Sequence, residues 1–174
     1  NIRIVDPAEV QLVPDTSPFY KRTLLFLESQ WRQQIPTDSN LHVGHRAAMD
    51  LMPYQLDPAK LSLQRPRQRI LIADTVGLGK TLEAGILMSE LIARGKGKRI
   101  LVVTVKSMMT QFQKEMWNRF TIPLVRLDSG RIQKIRASLP SNYNPFFYYD
   151  KTIVSIDTLK RDVEYRTHLE NAYW

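Results

Sequence analysis

The chain has 174 residues, 43% of them hydrophobic and 24% charged, and it contains no cysteine. It therefore reads as one globular domain with a short extra arm, and a disulfide scaffold, a zinc ribbon, an iron–sulfur site and a cysteine nucleophile are excluded. The net charge of +8 is uneven: residues 1–60 hold 6 basic and 7 acidic side chains, residues 61–174 hold 19 and 10; such an excess suits a polyanion partner, nucleic acid or nucleotide, or else is a solvated basic surface.

Residues 1–13 carry Asp6, Pro7 and Glu9 and do not read as a signal peptide. Residues 1–40 form the expected arm, with one helix in it. Ser17-Pro18 supplies a cap and a proline for the first turn, Tyr20, Leu24, Leu27 and Trp31 recur at helical spacing, and Pro36 ends the helix. Residues 41–174 form the expected main domain. In it, residues 53–63 predict a shorter helix, and Arg65, Arg67 and Arg69 around Pro66 a connecting loop. From residue 70 the rhythm becomes strand, helix, strand, helix. Strands are expected at 69–73, 99–104, 124–127 and 152–156, and helices at 82–93, 108–120 and 132–139. Unbroken Val/Ile/Leu strands alternating with helices predict an α/β fold on a buried parallel sheet. The runs at 70–73 and 100–103 are too short to cross a bilayer, so a soluble, intracellular protein is expected.

The strongest motif is Asp74-Thr75-Val76-Gly77-Leu78-Gly79-Lys80-Thr81, placed after a predicted strand and opening a predicted helix. Glycines let the backbone curl until its N–H groups point at one anion, and the helix aims its positive end at the same spot. Lys80 can then reach β- and γ-phosphates, and the Thr81 hydroxyl can bind magnesium. Asp74 stands where the general pattern has glycine.

These residues, continuing through Glu83-Ala84-Gly85, resemble the nucleotide-binding motif of Swi/Snf-type ATPases of helicase superfamily two, and in particular the bacterial RNA-polymerase-associated and related prokaryotic members. That family commonly has Asp at the position of Asp74, and Glu where this chain has Thr75. The resemblance covers residues from about 50 to 174 and implies a three-layer RecA-like lobe with a parallel sheet, binding ATP and Mg through residues 75–81. It makes Gln55, in Met52-Pro53-Tyr54-Gln55-Leu56, the reader of the adenine edge. Residues 99–112 resemble a nucleic-acid backbone element, which gives Lys106 and Ser107; the proline usual there is Val105. Residues 153–161 resemble the next such element, which gives Thr158, Lys160 and Arg161. The implied function is the ATP-binding part of a motor translocating on double-stranded DNA, with Lys80 and Thr81 in its catalytic machinery. RNA polymerase or a DNA-defence assembly is an implied partner, and a cytoplasmic, nucleoid-associated location follows.

In the family an Asp-Glu motif binds magnesium and orients water; this chain contains no Asp-Glu dipeptide. It therefore reads as an amino-terminal fragment that binds nucleotide without hydrolysing it. The alternatives are a complete small P-loop NTPase using Asp157, and a nucleotide-responsive module that docks a protein. Asp157 otherwise reads as a helix cap. Residues 142–149 read as a loop docking on its own domain, with base stacking as the alternative. His42 and His45 read as surface histidines, residues 94–99 as a solvated turn, Glu83 as a first-turn carboxylate without a catalytic role, and the Met108–Phe120 stripe as core.

Overall fold

A computed structural model of the chain describes residues 14, 17, 19–46, 50, 52–64, 69–75, 77–161, 163–172 and 174. The chain divides between Ile35 and Pro36 into two compact units. In the first, helix α1 (Tyr20–Gln33) carries Tyr20, Leu24, Leu27 and Trp31 at the expected spacing. It begins later than Ser17-Pro18 suggests. Phe19 occupies the cap position without a side-chain bond, and Ser17 contributes its carbonyl, which accepts the Tyr20 N–H at 3.2 Å. Pro18 lies outside the described residues. The helix is over by Gln34, which is already extended at ψ 132°, two residues ahead of Pro36.

The second unit is built on three parallel strands, β1 (Ile100–Thr104), β2 (Val125–Leu127) and β3 (Lys151–Ser155), in the order β1-β3-β2. Thr104 pairs with Ser155 and Leu127 with Val154, so the strands' carboxyl ends lie together. Helices α3 (Lys80–Ala93) and α4 (Met109–Phe120) cover one face, where Ile153 of the sheet meets Met109, Met116, Ile122 and Leu124. Helices α5 (Ser129–Ser138) and α7 (Val163–Glu170) cover the other, where Val154 meets Leu127, Ile132, Ile135, Phe146 and Tyr165. Adjacent residues 153 and 154 thus feed opposite cores, as the period of two requires. That double burial is why Ile100 to Val103 reads as an unbroken apolar run, and the three-layer α/β expectation stands. A Cβ on Gly85 would lie 2.2 Å from the Phe120 ring, so glycine alone lets α3 meet α4 there. Two short helices complete the unit: α2 (Asp57–Leu63) after a 3₁₀ turn at Pro53–Leu56, and α6 (Ile156–Arg161) directly after β3.

Several expectations are corrected. Residues 69–73 form no strand: Leu71 is 88% exposed, and no neighbour among the described residues pairs with its backbone. The core stripe of α4 is Met109, Phe112, Met116 and Phe120, while Met108 and Trp117 are exposed. The ends of the basic turn are structural rather than solvated. Arg94 donates to the carbonyls of Pro36, Asp38 and Asn40. Arg99 donates to the Phe146 carbonyl and lies over the rings of Phe147 and Trp174. The aromatic stretch does dock on its own domain, with Pro145 and Phe146 buried and Asn144 bonded to the His168 carbonyl at 2.6 Å. Arg65, Pro66 and Arg67 of the predicted loop lie outside the described residues.

Candidate nucleotide site and basic track

The turn after α3 is tight: the N–H groups of Lys96 and Gly97 both donate to the Leu91 carbonyl, at 2.9 and 2.8 Å. The chain therefore reverses into β1, and the N-terminus of α3 lies at the carboxyl end of the sheet. That is the edge where open α/β folds bind ligands. The loop ahead of α3 has Gly77 at φ +92° and Gly79 at φ +93°. Both glycines of the motif are thus demanded by backbone conformation. Lys80 is the first residue of α3, and Thr81 follows it half-buried. The Lys80 ammonium turns back onto the loop and donates to the carbonyls of Asp74 at 2.8 Å and Thr75 at 3.1 Å. Val76 lies outside the described residues.

The 3₁₀ turn at Pro53–Leu56 is seated against this loop. Gln55 is only 5% exposed. Its Oε1 accepts the Met52 N–H at 3.1 Å, and its Nε2 donates to the Leu78 carbonyl at 3.1 Å. Tyr54 Oη donates to the same carbonyl at 3.1 Å. A Cβ on Gly79 would sit 2.7 Å from Gln55 Nε2. The predicted adenine reader is therefore in contact with the predicted phosphate loop. A glutamine amide has two donors and two acceptor lone pairs. One donor and one lone pair of Gln55 remain after these bonds.

Two buried carboxylates lie seven residues apart on α3, on either side of buried Ile86. Glu90 is partnered through one oxygen, while its Oε2 has only the Arg94 Nε, 3.8 Å away. Its Oε1 accepts the N–H groups of His42, Val43 and Gly44 at 2.8, 2.6 and 2.8 Å. Glu83 has no donor on either oxygen. Burial, then the neighbouring Asp74 carboxyl, push its pKa up to about 7, with Lys80 opposing. The first-turn reading of Glu83 missed its burial. The signal was available, because a glutamate inside a helix apolar nearly all round has nowhere to point but inward.

The predicted nucleic-acid residues also gather at the carboxyl ends of the strands. Lys106 and Ser107 are exposed on a 3₁₀ turn that follows β1 after Val105. Thr158, Lys160 and Arg161 lie on α6, after β3. The Thr158 hydroxyl is engaged with Ser155 Oγ at 2.9 Å, and Ser155 Oγ also accepts the Thr158 N–H. Ser155, rather than Asp157, caps α6; Asp157 is exposed in its first turn. Lys160 shares a pocket of about 350 Å³ with Arg166, Val103, Ile156, Leu159 and Leu169. His42 Nε2 pairs with Asp38 Oδ1 at 2.8 Å, the His45 side chain lies outside the described residues, and no metal-binding cluster of His, Asp or Glu occurs among the described residues.

No family model matches the chain. Curated relatives do. The chain is 37% identical over 131 residues to the RNA polymerase-associated protein RapA of Sodalis glossinidius, an alignment covering 75% of this chain and 13% of that protein. With RapA of Proteus mirabilis it shares 34% over 153 residues, 88% of this chain and 15% of the relative. With RapA of Yersinia enterocolitica it shares 36% over 131 residues, 75% of this chain and 13% of the relative. The chain thus spans 13–15% of the length of these relatives. Over that segment it is a homologue of the RapA proteins, and the Swi/Snf-type kinship read from its motifs stands.

Proposed function

We propose that this chain is the ATP-binding part of an ATP-dependent motor of the Swi/Snf type that translocates on double-stranded DNA. The observation that carries the proposal is the loop at 74–81, with two positive-φ glycines, Lys80 at the helix start and Gln55 against Leu78. A phosphate needs backbone N–H groups, a cation and the positive end of a helix at one point, and these residues supply all three. The Lys80 ammonium rests on two neutral carbonyls, bonds that phosphate oxygens would replace with charge-assisted ones. ATP and magnesium fit this donor set: Lys80 and the first amides of α3 would hold phosphates, and the Thr81 hydroxyl would meet the metal. When bound, magnesium neutralises phosphate charge. The free donor and lone pair of Gln55 match the two-point edge of adenine.

The exposed cations Lys106, Lys160 and Arg161, with Ser107 and Thr158, form the DNA contact in this proposal, made through phosphates and without base readout. Nucleotide is held here without hydrolysis, since the chain has no Asp-Glu dipeptide and Asp157 sits exposed at the start of α6. The name of the relatives supports RNA polymerase as a partner of the full protein. No helix of the described residues is long and apolar enough to cross a membrane.

Titration calorimetry with ADP and ATP tests the nucleotide site. Lys80→Ala removes one charge-assisted contact worth about 1.5–3 kcal/mol, so affinity is expected to fall at least about tenfold. Equal affinity for wild type and variant would sink the assignment.

A further inference from the structure

Two side chains converge on one peptide of the phosphate loop. The Leu78 carbonyl accepts from Gln55 Nε2 and from Tyr54 Oη, each at 3.1 Å. The Leu78–Gly79 peptide is trans and planar, so its N–H points opposite to its C=O. With the carbonyl held toward the 53–56 turn, the Gly79 N–H is turned away from it, on the side open to an anion approaching the first amides of α3. Gly79 at φ +93° could swing this peptide at little steric cost, since glycine crosses to other regions freely. An external hold is what such a peptide requires. Gln55 has a second task at Met52, whereas the hydroxyl of Tyr54 has the Leu78 carbonyl as its acceptor.

We infer that Tyr54 is a positioning residue for phosphate binding: its hydroxyl fixes the Leu78–Gly79 peptide so that the Gly79 N–H is preset as a phosphate donor. The inference rests on the reading of residues 74–81 as a phosphate cradle. It assigns Tyr54 to the phosphates rather than to the base, and that difference can be measured.

The experiment titrates the full 174-residue chain with magnesium-ADP and with magnesium tripolyphosphate, which has no base. Tyr54→Phe removes one oxygen and keeps the ring. The expected result is a loss of about three- to tenfold for both probes by the same factor, the worth of one neutral hydrogen bond. The Gly79 amide resonance of the ligand-free variant should also shift in a ¹⁵N spectrum, with the melting temperature of the chain unmoved. A loss confined to ADP would make Tyr54 a base contact and overturn the inference. Unchanged affinities with an unmoved Gly79 resonance would overturn it too. Lys80→Ala separates the two readings. A wild type that binds neither probe, or binds both as well after Lys80→Ala, defeats the cradle itself, whereas a cradle that responds to Lys80→Ala and ignores Tyr54→Phe defeats only the role of Tyr54.

Discussion

Replacing Glu90 with alanine tests the architecture behind the phosphate loop. One oxygen of Glu90 takes three successive backbone N–H groups, and its other oxygen stands 3.8 Å from Arg94 Nε. Arg94 in turn holds three carbonyls of residues 36–40. The pair thus fastens the segment from Pro36 to Gly44 onto α3, donors to the acid and acceptors to the base. Both side chains are buried, at 0% and 7% exposure. Hydrogen bonds to a charged group are worth roughly 1.5–3 kcal/mol each, but three cannot simply be added, because the amides of His42 and Val43 are only partly buried and can turn to water. The guanidinium left without its acid costs more, and breaking a buried pair typically destabilises by about 3–5 kcal/mol. Against a typical domain stability of about 5–15 kcal/mol, Glu90→Ala should leave the chain marginal. Glu90→Gln keeps a carbonyl oxygen for the three amides and should cost about 1–2 kcal/mol. Urea unfolding followed by circular dichroism reads both. A Glu90→Ala chain within about 1 kcal/mol of wild type would refute the argument, as would a Glu90→Ala/Arg94→Ala double variant whose loss equals the sum of the singles.

The two glycines of the loop should respond unequally. Gly77→Ala meets open space and costs only the positive φ, about 1 kcal/mol, whereas Gly79→Ala also drives a methyl toward Gln55 Nε2 and should lose more stability together with phosphate affinity; equal losses in thermal melts would contradict the close approach. Glu83, held up to about 7 against an ordinary 4.5, binds a proton in the fold that the unfolded chain has already released between those pH values. Stability should therefore fall as pH rises through that window, and Glu83→Gln should flatten the decline and gain about 1–3 kcal/mol at pH 8, read by melts across pH. If Lys160 and Arg161 lie on a DNA track, their double alanine variant should weaken duplex binding alike on all sequences and flatten the salt slope by about one to two in fluorescence anisotropy; an unchanged slope would return both to the solvated surface.

The layers were legible in the sequence because burial on two faces leaves an unmistakable pattern. Ile100 to Val103 is apolar at every step and Ile153-Val154 forms the centre of the strand at 151–155, with alternate residues serving different cores. The glycines of the turn ahead of α3 were legible for another reason: positive φ at two positions all but dictates glycine. The strand expected at 69–73 failed because apolar composition says only that a segment would suit a sheet, whereas pairing needs a neighbour. Trp117 failed similarly, since helical spacing gives a stripe but not its width. The roles of Arg94 and Glu90 depend on contacts with residues 46 to 58 positions away, and no local pattern encodes those. Glu83 could have been found by asking what an apolar helix does with its acids.

The same topology bears on how a nucleotide could influence the predicted DNA residues. In a parallel sheet every strand ends at one edge, and each connection returns along the opposite direction. The segment after β1 carries Lys106 and Ser107, the segment after β3 carries Thr158, Lys160 and Arg161, and the loop before α3 lies at that edge as well. β1 and β3 are direct neighbours, paired through Thr104 and Ser155 at their carboxyl ends. Ser155 is at once the last residue of β3 and the cap of the helix bearing the basic pair. A change of charge at the loop therefore needs no path through the core to be felt at the track. The helix that starts at the loop is also the helix that Glu90 and Arg94 fasten to residues 36–44. Its footing is fixed there, at the end away from the loop, so phosphate binding can act on the loop and its 53–56 neighbour without dragging α3 along.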